Sequence, residues 1–287
     1  MTILVQKIKT FFNLIKFEHS IFALPFAYLG LFLAEGGFPR FSIFLWVTIA
    51  MVAVRTAGMC LNRLIDERID QENPRTQDRA RQIHFLKRPV LWIVTACALI
   101  LFVASAAKLN HLCLLLTPIP IFLIWLYPHL KKFTWLSHFV LGIILGIAPY
   151  AGWLSSAATW SWIPLLLTVA VTSWVCGFDM FYALQDVEFD TLRHLRSYPV
   201  QFGIQRTFQT IRLLHAITVF ALAVFGFVLR MGIWYWAGWL IVVGLIVKEH
   251  RLVGRFGLSK INEAFFNMNA WVSVVIFIAM TMELTVH

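Results

Sequence analysis

Residues 41–61 read F-S-I-F-L-W-V-T-I-A-M-V-A-V-R-T-A-G-M-C-L, an apolar run that contains a single charged side chain, Arg55. A helix needs about 20 mostly apolar residues to cross a bilayer. The whole chain of 287 residues has this character, because 60% of it is hydrophobic, only 13% is charged and the mean hydropathy is +0.78. Soluble domains are about a quarter charged. The composition therefore excludes an ordinary soluble enzyme, a disordered tail and a disulfide-stapled secreted domain, and it predicts a polytopic membrane protein.

The same length criterion predicts an all-α protein with nine transmembrane helices in one bundle, forming a single integral-membrane domain over 1–287. Only helices and closed barrels satisfy their backbone groups in lipid, and these runs lack the alternation typical of strands. The basic, amphipathic stretch Met1–Lys16 is typical of an interfacial helix rather than a signal peptide. The predicted spans are 20–36, 41–61, 90–107, 111–128, 134–155, 163–183, 209–229, 232–248 and 268–285.

The distribution of basic residues predicts the orientation. The formal net charge is +10, but the basic side chains lie in short loops between apolar runs, which indicates membrane topology and no nucleic-acid partner. With a cytoplasmic N-terminus, 20 of the 24 Lys and Arg fall on the cytoplasmic side and 3 on the other, while Arg55 lies within a span. The positive-inside rule thus predicts a multi-pass protein of the cell inner membrane. Its long polar loops would be cytoplasmic and its C-terminus periplasmic.

The first of two acidic clusters follows the second span directly. Residues 62–79 read N-R-L-I-D-E-R-I-D-Q-E-N-P-R-T-Q-D-R. Asn62, Asp66 and Asp70 are spaced i, i+4, i+8, so on a helix continuing from the span they form one polar stripe.

The second cluster lies at the end of the sixth span. Residues 179–190 read D-M-F-Y-A-L-Q-D-V-E-F-D. Tyr182, Asp186 and Asp190 share a helical face, and Gln185 lies beside it. Together the clusters hold nine of the 14 Asp and Glu residues.

Like charges at i, i+4 destabilise a helix, so each stripe needs a counter-charge. Carboxylate and amide oxygens are hard ligands that favour Mg²⁺ or Ca²⁺, and Mg²⁺ typically completes its shell with water and phosphate oxygens. Two facing stripes surrounded by Arg and Lys are suited to holding a magnesium-bound diphosphate. The alternative is a pair of solvated helix ends neutralised by loop arginines.

The motif N-x-x-x-D-x-x-x-D running into N-P-R-T-x-x-R, with a later Y-A-x-Q-D-x-x-x-D, resembles the UbiA family of intramembrane aromatic prenyltransferases. The resemblance covers nearly the whole chain, including S-x-P-x-x-F-G from Ser197 to Gly203. One departure is Thr191, which follows Asp190 where the family commonly has arginine, although Arg193 and Arg196 are close by.

The resemblance implies the chemistry. A polyprenyl diphosphate is bound through Mg²⁺, diphosphate leaves, and the allylic cation alkylates an electron-rich ring while the apolar bundle excludes water. By resemblance, Asn62, Asp66 and Asp70 hold one Mg²⁺, and Asp186 and Asp190 hold the other. These four aspartates are the predicted catalytic residues, and one of them could also help to deprotonate the phenol.

The resemblance also implies further substrate-binding residues. Lys131 belongs to a Y-P-x-x-K element and would bind diphosphate with Tyr127 nearby, unless it is a topological anchor. Lys16 matches a basic family position, with a snorkelling lysine as the alternative. Other cations and polar groups near the motifs are predicted to contact substrate, the arginines with salt bridges to Glu67 or Glu72 as the alternative; they are Arg63, Arg75, Tyr182 and Gln185.

Arg55 lies seven residues before Asn62, about two turns deeper on roughly the same face. A cation in a span is costly unless it is paired. We expect Arg55 to anchor the carboxylate of an aromatic acid acceptor, with a structural pair to Asp179 as the alternative. The histidines His138 and His215, like Glu18 and His19, have no informative spacing and are expected to be packing or interfacial residues.

The predicted function is transfer of a polyprenyl group to 4-hydroxybenzoate in ubiquinone-type quinone biosynthesis. The segment K-F-E-H-S-I-F-A-L-P-F-A (16–27) resembles a subgroup of the family that is partly associated with menaquinone made through futalosine. This resemblance keeps a second acceptor open, 1,4-dihydroxy-6-naphthoate. A transporter with a midplane Arg55–Asp179 pair is the alternative from another class, but the acidic clusters lie at the ends of their spans and not in the middle.

Overall fold

The computed structural model describes residues 3–17, 20–256 and 261–286, and within these ranges every regular element is a helix. The predicted all-α architecture is therefore confirmed. A 3-10 turn spans Leu184–Asp186. The helices are α1 (Ile3–Leu14), α2 (Ser20–Glu35), α3 (Phe41–Glu72), α4 (Gln77–Leu86), α5 (Arg88–Leu109), α6 (His111–Leu116), α7 (Pro118–Leu130), α8 (Ser137–Ala157), α9 (Ile163–Ala183), α10 (Val187–Leu192), α11 (Tyr198–Phe202), α12 (Ile204–Val228), α13 (Ile233–Phe256) and α14 (Ile261–Val286).

Six segments of the described chain are long and apolar enough to cross a membrane, and two further apolar helices, Ala23–Glu35 and Trp271–Val286, are shorter. The protein is thus a multi-pass membrane protein, whereas the count of nine spans stays a prediction. The six segments are Phe41–Glu72, Arg88–Leu109, His111–Leu130, Ser137–Ala157, Ile163–Leu192 and Ile204–Val228.

Two helices carry the acidic clusters beyond the apolar runs. The 32 residues of α3 extend about three turns past residue 61, so the first polar stripe lies on a continuous helix, as predicted. In α9 the chain tightens into the 3-10 turn and then continues as α10, which places Asp186 and Asp190 at its end. The predicted fourth span is interrupted at Thr117, because Pro118 and Pro120 lack the N–H groups that would continue α6.

Small residues let the central helices approach closely. A Cβ added to Gly30 in α2 would lie 1.7 Å from the carbonyl oxygen of Pro149, and one added to Gly152 in α8 would lie 1.9 Å from that of Ala27. On another face of α8, a Cβ added to Gly146 would lie 1.9 Å from the Thr172 hydroxyl of α9 and 3.0 Å from the carbonyl oxygen of Thr168. Close backbone approach through glycine is typical of helix packing in membranes. It fixes α8 between α2 and α9.

The apolar core has two main parts. The largest cluster joins α2, α3, α8, α9, α12, α13 and α14, with Trp174 and Phe225 among its buried members. A separate cluster packs Leu14 of α1 and Ile83 of α4 against Cys60 of α3. The two amphipathic helices α1 and α4 therefore lie beside the end of α3 that carries the first acidic stripe.

Candidate active site at the ends of α3 and α9

The first stripe is organised by its own side chains. The Asn62 amide donates to Asp66 Oδ2 at 2.8 Å, and Arg63 Nη1 donates to Asn62 Oδ1 at 3.0 Å. Arg63 is buried, and its Nε donates to the carbonyl oxygen of Leu14 at 3.2 Å. The guanidinium thus ties α1 to the stripe, and the alternative of a bridge to Glu67 or Glu72 is not realised for Arg63.

The two clusters meet through the N-P-R-T segment. Arg75 Nε donates to Asp186 Oδ1 at 2.8 Å, its Nη2 pairs with Asp186 Oδ2, and the Asn73 amide donates to Asp186 Oδ1 at 3.3 Å. Burial acts to lower the pKa of Arg75, but the hydrogen bond and negative charge of Asp186 outweigh it and raise that pKa above its ordinary value. Arg75 consequently stays charged and joins the clusters.

Other cations complete the junction. Lys131, in the turn after α7, lies within electrostatic range of Asp66, Asp186 and Asp190. Its carbonyl oxygen accepts a hydrogen bond of 2.7 Å from the Arg196 backbone N–H. The structure therefore brings Lys131 between the two clusters, where a topological anchor alone would not need to lie.

Glu67 and Glu72 are neutralised by arginines other than those expected. Arg88 lies 3.2 Å from Glu67, and Arg193 lies 3.1 Å from Glu72. Arg193 comes from the segment after the second cluster, so this ion pair is a further link between the clusters.

Two carboxylate oxygens in the described site have no hydrogen-bond partner. Asp70 Oδ1 lies 3.3 Å from Arg79 Nη1, but Asp70 Oδ2 and Asp190 Oδ2 are buried and unpartnered. A buried unpaired carboxylate oxygen is costly, so each of these atoms favours a cation, although the Ser197 hydroxyl also lies close enough to act on Asp190.

The donor set fits Mg²⁺. Within the described residues no group of three or more His, Cys, Asp or Glu is arranged as a closed metal site. Mg²⁺ does not require one, because it commonly binds one or two carboxylates and completes its shell with water and substrate phosphates. One unpartnered carboxylate oxygen on each cluster matches that habit, because carboxylate oxygens are hard donors.

The remaining predicted residues lie at different depths. Tyr127 lies within electrostatic range of Asp66 and Arg63, which places it beside the first stripe. Tyr182 and Gln185 are half-buried at the end of α9 beside the second. Lys16 is exposed just after the end of α1, and its predicted contact with substrate stays a prediction.

Deeper in the bundle, Arg55 and Asp179 do not form the alternative pair. Asp179 Oδ2 instead lies 2.6 Å from His138 Nδ1. Arg55 has no ion pair among the described residues, and its Nε is buried without a hydrogen-bond partner. His138 is buried, as expected of a packing residue, but its bond to Asp179 was missed. No sequence signal marks it, since 41 positions separate the two residues.

His215 is buried too, whereas Glu18 and His19 lie outside the described residues.

Comparisons with known proteins identify the family of this chain. The model of the UbiA prenyltransferase family matches residues 23–272. A 4-hydroxybenzoate octaprenyltransferase of Francisella tularensis subsp. mediasiatica is 27% identical, over 95% of this chain and 96% of its own. The apo structure of a UbiA homolog from Aeropyrum pernix K1 is 30% identical with a TM-score of 0.83, over 91% of this chain and 96% of that one. A UbiA homolog from Archaeoglobus fulgidus, bound to DMAPP and Mg²⁺, shares the fold at 18% identity with a TM-score of 0.69, over 93% and 99%. Because the family model spans most of its length, this chain belongs to the UbiA prenyltransferase family.

Proposed function

We propose that this protein transfers a polyprenyl group from polyprenyl diphosphate to the ring of 4-hydroxybenzoate, with Mg²⁺, in ubiquinone-type quinone biosynthesis. The observation that carries the proposal is the junction of the two acidic clusters through Arg75 and Asp186. It gathers carboxylates and cations at one end of the bundle, as a metal-bound diphosphate requires. The similarity to a 4-hydroxybenzoate octaprenyltransferase supports the choice of donor and acceptor.

The first step assigned to this chain is binding of the diphosphate. Asn62, Asp66 and Asp70 would hold one Mg²⁺, and Asp186 and Asp190 the second. When bound, the metal neutralises charge that develops on the leaving diphosphate. Cations beside the clusters would contact the phosphate oxygens directly; they are Lys131, Arg63, Arg75 and Lys16, with Tyr127, Tyr182 and Gln185 as neutral donors.

Arg55 is assigned to the acceptor. It lies about two turns deeper than Asn62 on α3, and its buried Nε has no partner. A guanidinium matches the planar geometry of a carboxylate and can donate two parallel hydrogen bonds to it. Binding of the acid would therefore satisfy a group that the described residues leave unpaired, and it would place the ring below the diphosphate.

The bundle itself has two roles in this proposal. Nine spans with cytoplasmic acidic clusters in the cell inner membrane would accept a long isoprenoid tail from the bilayer. The same apolar interior would keep water away from the allylic cation. The absence of a midplane Arg55–Asp179 pair among the described residues weighs against the transporter alternative.

The test is product formation in purified membranes. Polyprenyl diphosphate and Mg²⁺ are supplied with either 4-hydroxybenzoate or 1,4-dihydroxy-6-naphthoate, and the prenylated product is identified by mass spectrometry. We expect the benzoate product, and its loss in Asp66→Asn. Asp78→Asn is the matched control, because Asp78 is exposed and pairs only with Arg81 in the described chain. A naphthoate product would contradict the acceptor, and no product from either ring would contradict prenyl transfer to these acids.

A further inference from the structure

A histidine–carboxylate pair lies inside the bundle, away from the metal-binding clusters. Asp179 lies in α9, seven residues before Asp186 in the 3-10 turn, and is therefore about 10 Å deeper in the bundle. His138 comes from α8, and its Nδ1 lies 2.6 Å from Asp179 Oδ2. The His138 side chain is 1% exposed and that of Asp179 is 20% exposed. His138 therefore holds the Asp179 carboxylate on one side, while part of the Asp179 side chain stays open to a bound molecule.

The hydrogen bonds determine the protonation of this pair. The Tyr198 backbone N–H donates to His138 Nε2 at 3.3 Å. A backbone N–H can only donate, so Nε2 must carry the lone pair and Nδ1 the proton. The Nδ1–H then donates to Asp179 Oδ2, so this oxygen is an acceptor and carries no proton. His138 is thus neutral and oriented by α11, while Asp179 retains an oxygen that His138 does not contact.

The position of Asp179 places it near the proposed acceptor. Its charge acts on the hydroxyl of Tyr127, as does that of Asp66, so Asp179 lies on the same interior region as the first cluster. On α3, Arg55 lies at a corresponding depth, seven residues before Asn62. An aromatic acid whose carboxylate meets Arg55 can present its opposite end, the hydroxyl, to α9.

We propose that Asp179 accepts the proton of the acceptor's ring hydroxyl during prenyl transfer, and that His138 is the residue that positions Asp179. The inference rests on the proposed function. A carboxylate within hydrogen-bond reach of a reacting hydroxyl is the usual arrangement for a general base.

Prenyl transfer breaks one bond and forms another. The bond between the prenyl carbon and the diphosphate oxygen breaks, and its electron pair leaves with diphosphate. The ring carbon beside the hydroxyl bonds to that prenyl carbon, while the hydroxyl proton passes to Asp179. The resulting dienone regains aromaticity when its ring proton moves to the oxygen, and Asp179 releases its proton to water.

The experiment compares two acceptors in three variants. With 4-hydroxybenzoate, we expect Asp179→Asn to lower kcat about 100-fold, a typical contribution of a general base, and to leave the KM for polyprenyl diphosphate unchanged. With 3-fluoro-4-hydroxybenzoate the loss should shrink several-fold, because more of its hydroxyl is already ionised. His138→Leu should behave like Asp179→Asn. His138→Asn should recover activity, because its amide can replace the Nδ1–H donor.

Asp78→Asn is again the control and should change neither acceptor's kcat. An equal loss with both acceptors, or no loss, would overturn the assignment of Asp179. If Asp179→Asn is not recovered as folded protein, the kcat values of His138→Leu and His138→Asn with the two acceptors test the proposal instead. Equal activity of these two variants overturns the positioning role of His138. A wild-type protein that prenylates neither ring contradicts the proposed function and this inference together. If the wild type is active and Asp179→Asn loses the same factor in kcat with both acceptors, this inference alone is contradicted.

Discussion

Replacing Arg55 with Met should separate binding from stability. The substitution keeps the apolar stem and removes a guanidinium whose Nε is buried without a hydrogen-bond partner among the described residues. Burial of an unsatisfied polar group costs about 1–3 kcal/mol, so the variant should unfold at the same or a higher temperature. The same change removes the proposed anchor of the acceptor carboxylate.

The expected loss of affinity is large. Hydrogen bonds to charged groups contribute about 1.5–3 kcal/mol each, so losing two of them costs at least about 3 kcal/mol. Because about 1.4 kcal/mol is a factor of ten, the KM for 4-hydroxybenzoate should rise on the order of 100-fold. The KM of Arg55→Lys for 4-hydroxybenzoate should lie between those of the wild type and Arg55→Met. Lysine keeps the charge but cannot donate two parallel hydrogen bonds from a planar group.

The assay is steady-state prenyl transfer in proteoliposomes, with each substrate varied in turn, beside thermal unfolding in detergent. The KM for polyprenyl diphosphate should not change. With the methyl ester of 4-hydroxybenzoate as acceptor, wild type and variant should have the same KM, because the ester has no carboxylate for Arg55 to bind. A KM for the acid that rises only slightly, with diphosphate binding intact, would refute the anchor. A large fall in unfolding temperature would show that Arg55 is paired structurally.

Three further predictions concern the metal, the ion pair and the packing. Chelation with EDTA should abolish product formation, and added Mg²⁺ should restore it; activity that survives chelation would contradict the metal requirement. Arg75→Ala and Asp186→Asn should couple in a double-mutant cycle of unfolding by roughly 0.2–1 kcal/mol, because the Arg75 side chain is partly exposed. Additive effects would contradict a stabilising ion pair. Gly152→Ala should lower the unfolding temperature, because its Cβ would lie 1.9 Å from a carbonyl oxygen of α2. The control is Gly244→Ala, whose Cβ meets no atom within 4 Å and should not lower the unfolding temperature. Equal effects of the two substitutions would contradict the close approach of the helices.

Much of the fold is predictable from local properties. Hydropathy over about 20 residues identifies spans, since each membrane helix satisfies its own backbone hydrogen bonds without help from distant residues. The i, i+4 spacing of Asn62, Asp66 and Asp70 likewise predicts a stripe on a helix, and α3 carries it without interruption. The break at Thr117 was missed because hydropathy does not register the N–H groups that prolines lack.

The amino-acid order alone therefore specified a helical membrane protein with two acidic stripes of this family's pattern, because such features depend on residues within a few turns of each other. Which groups face one another depended on the packing of whole helices. Arg75 reaches Asp186 across 111 positions, and His138 reaches Asp179 across 41. No local pattern encodes such contacts; the close approach of α8 to α9 at Gly142 and Gly146, for example, brings the helices of His138 and Asp179 together. The tertiary structure thus made Asp179, which the sequence left as an alternative partner of Arg55, the partner of a histidine.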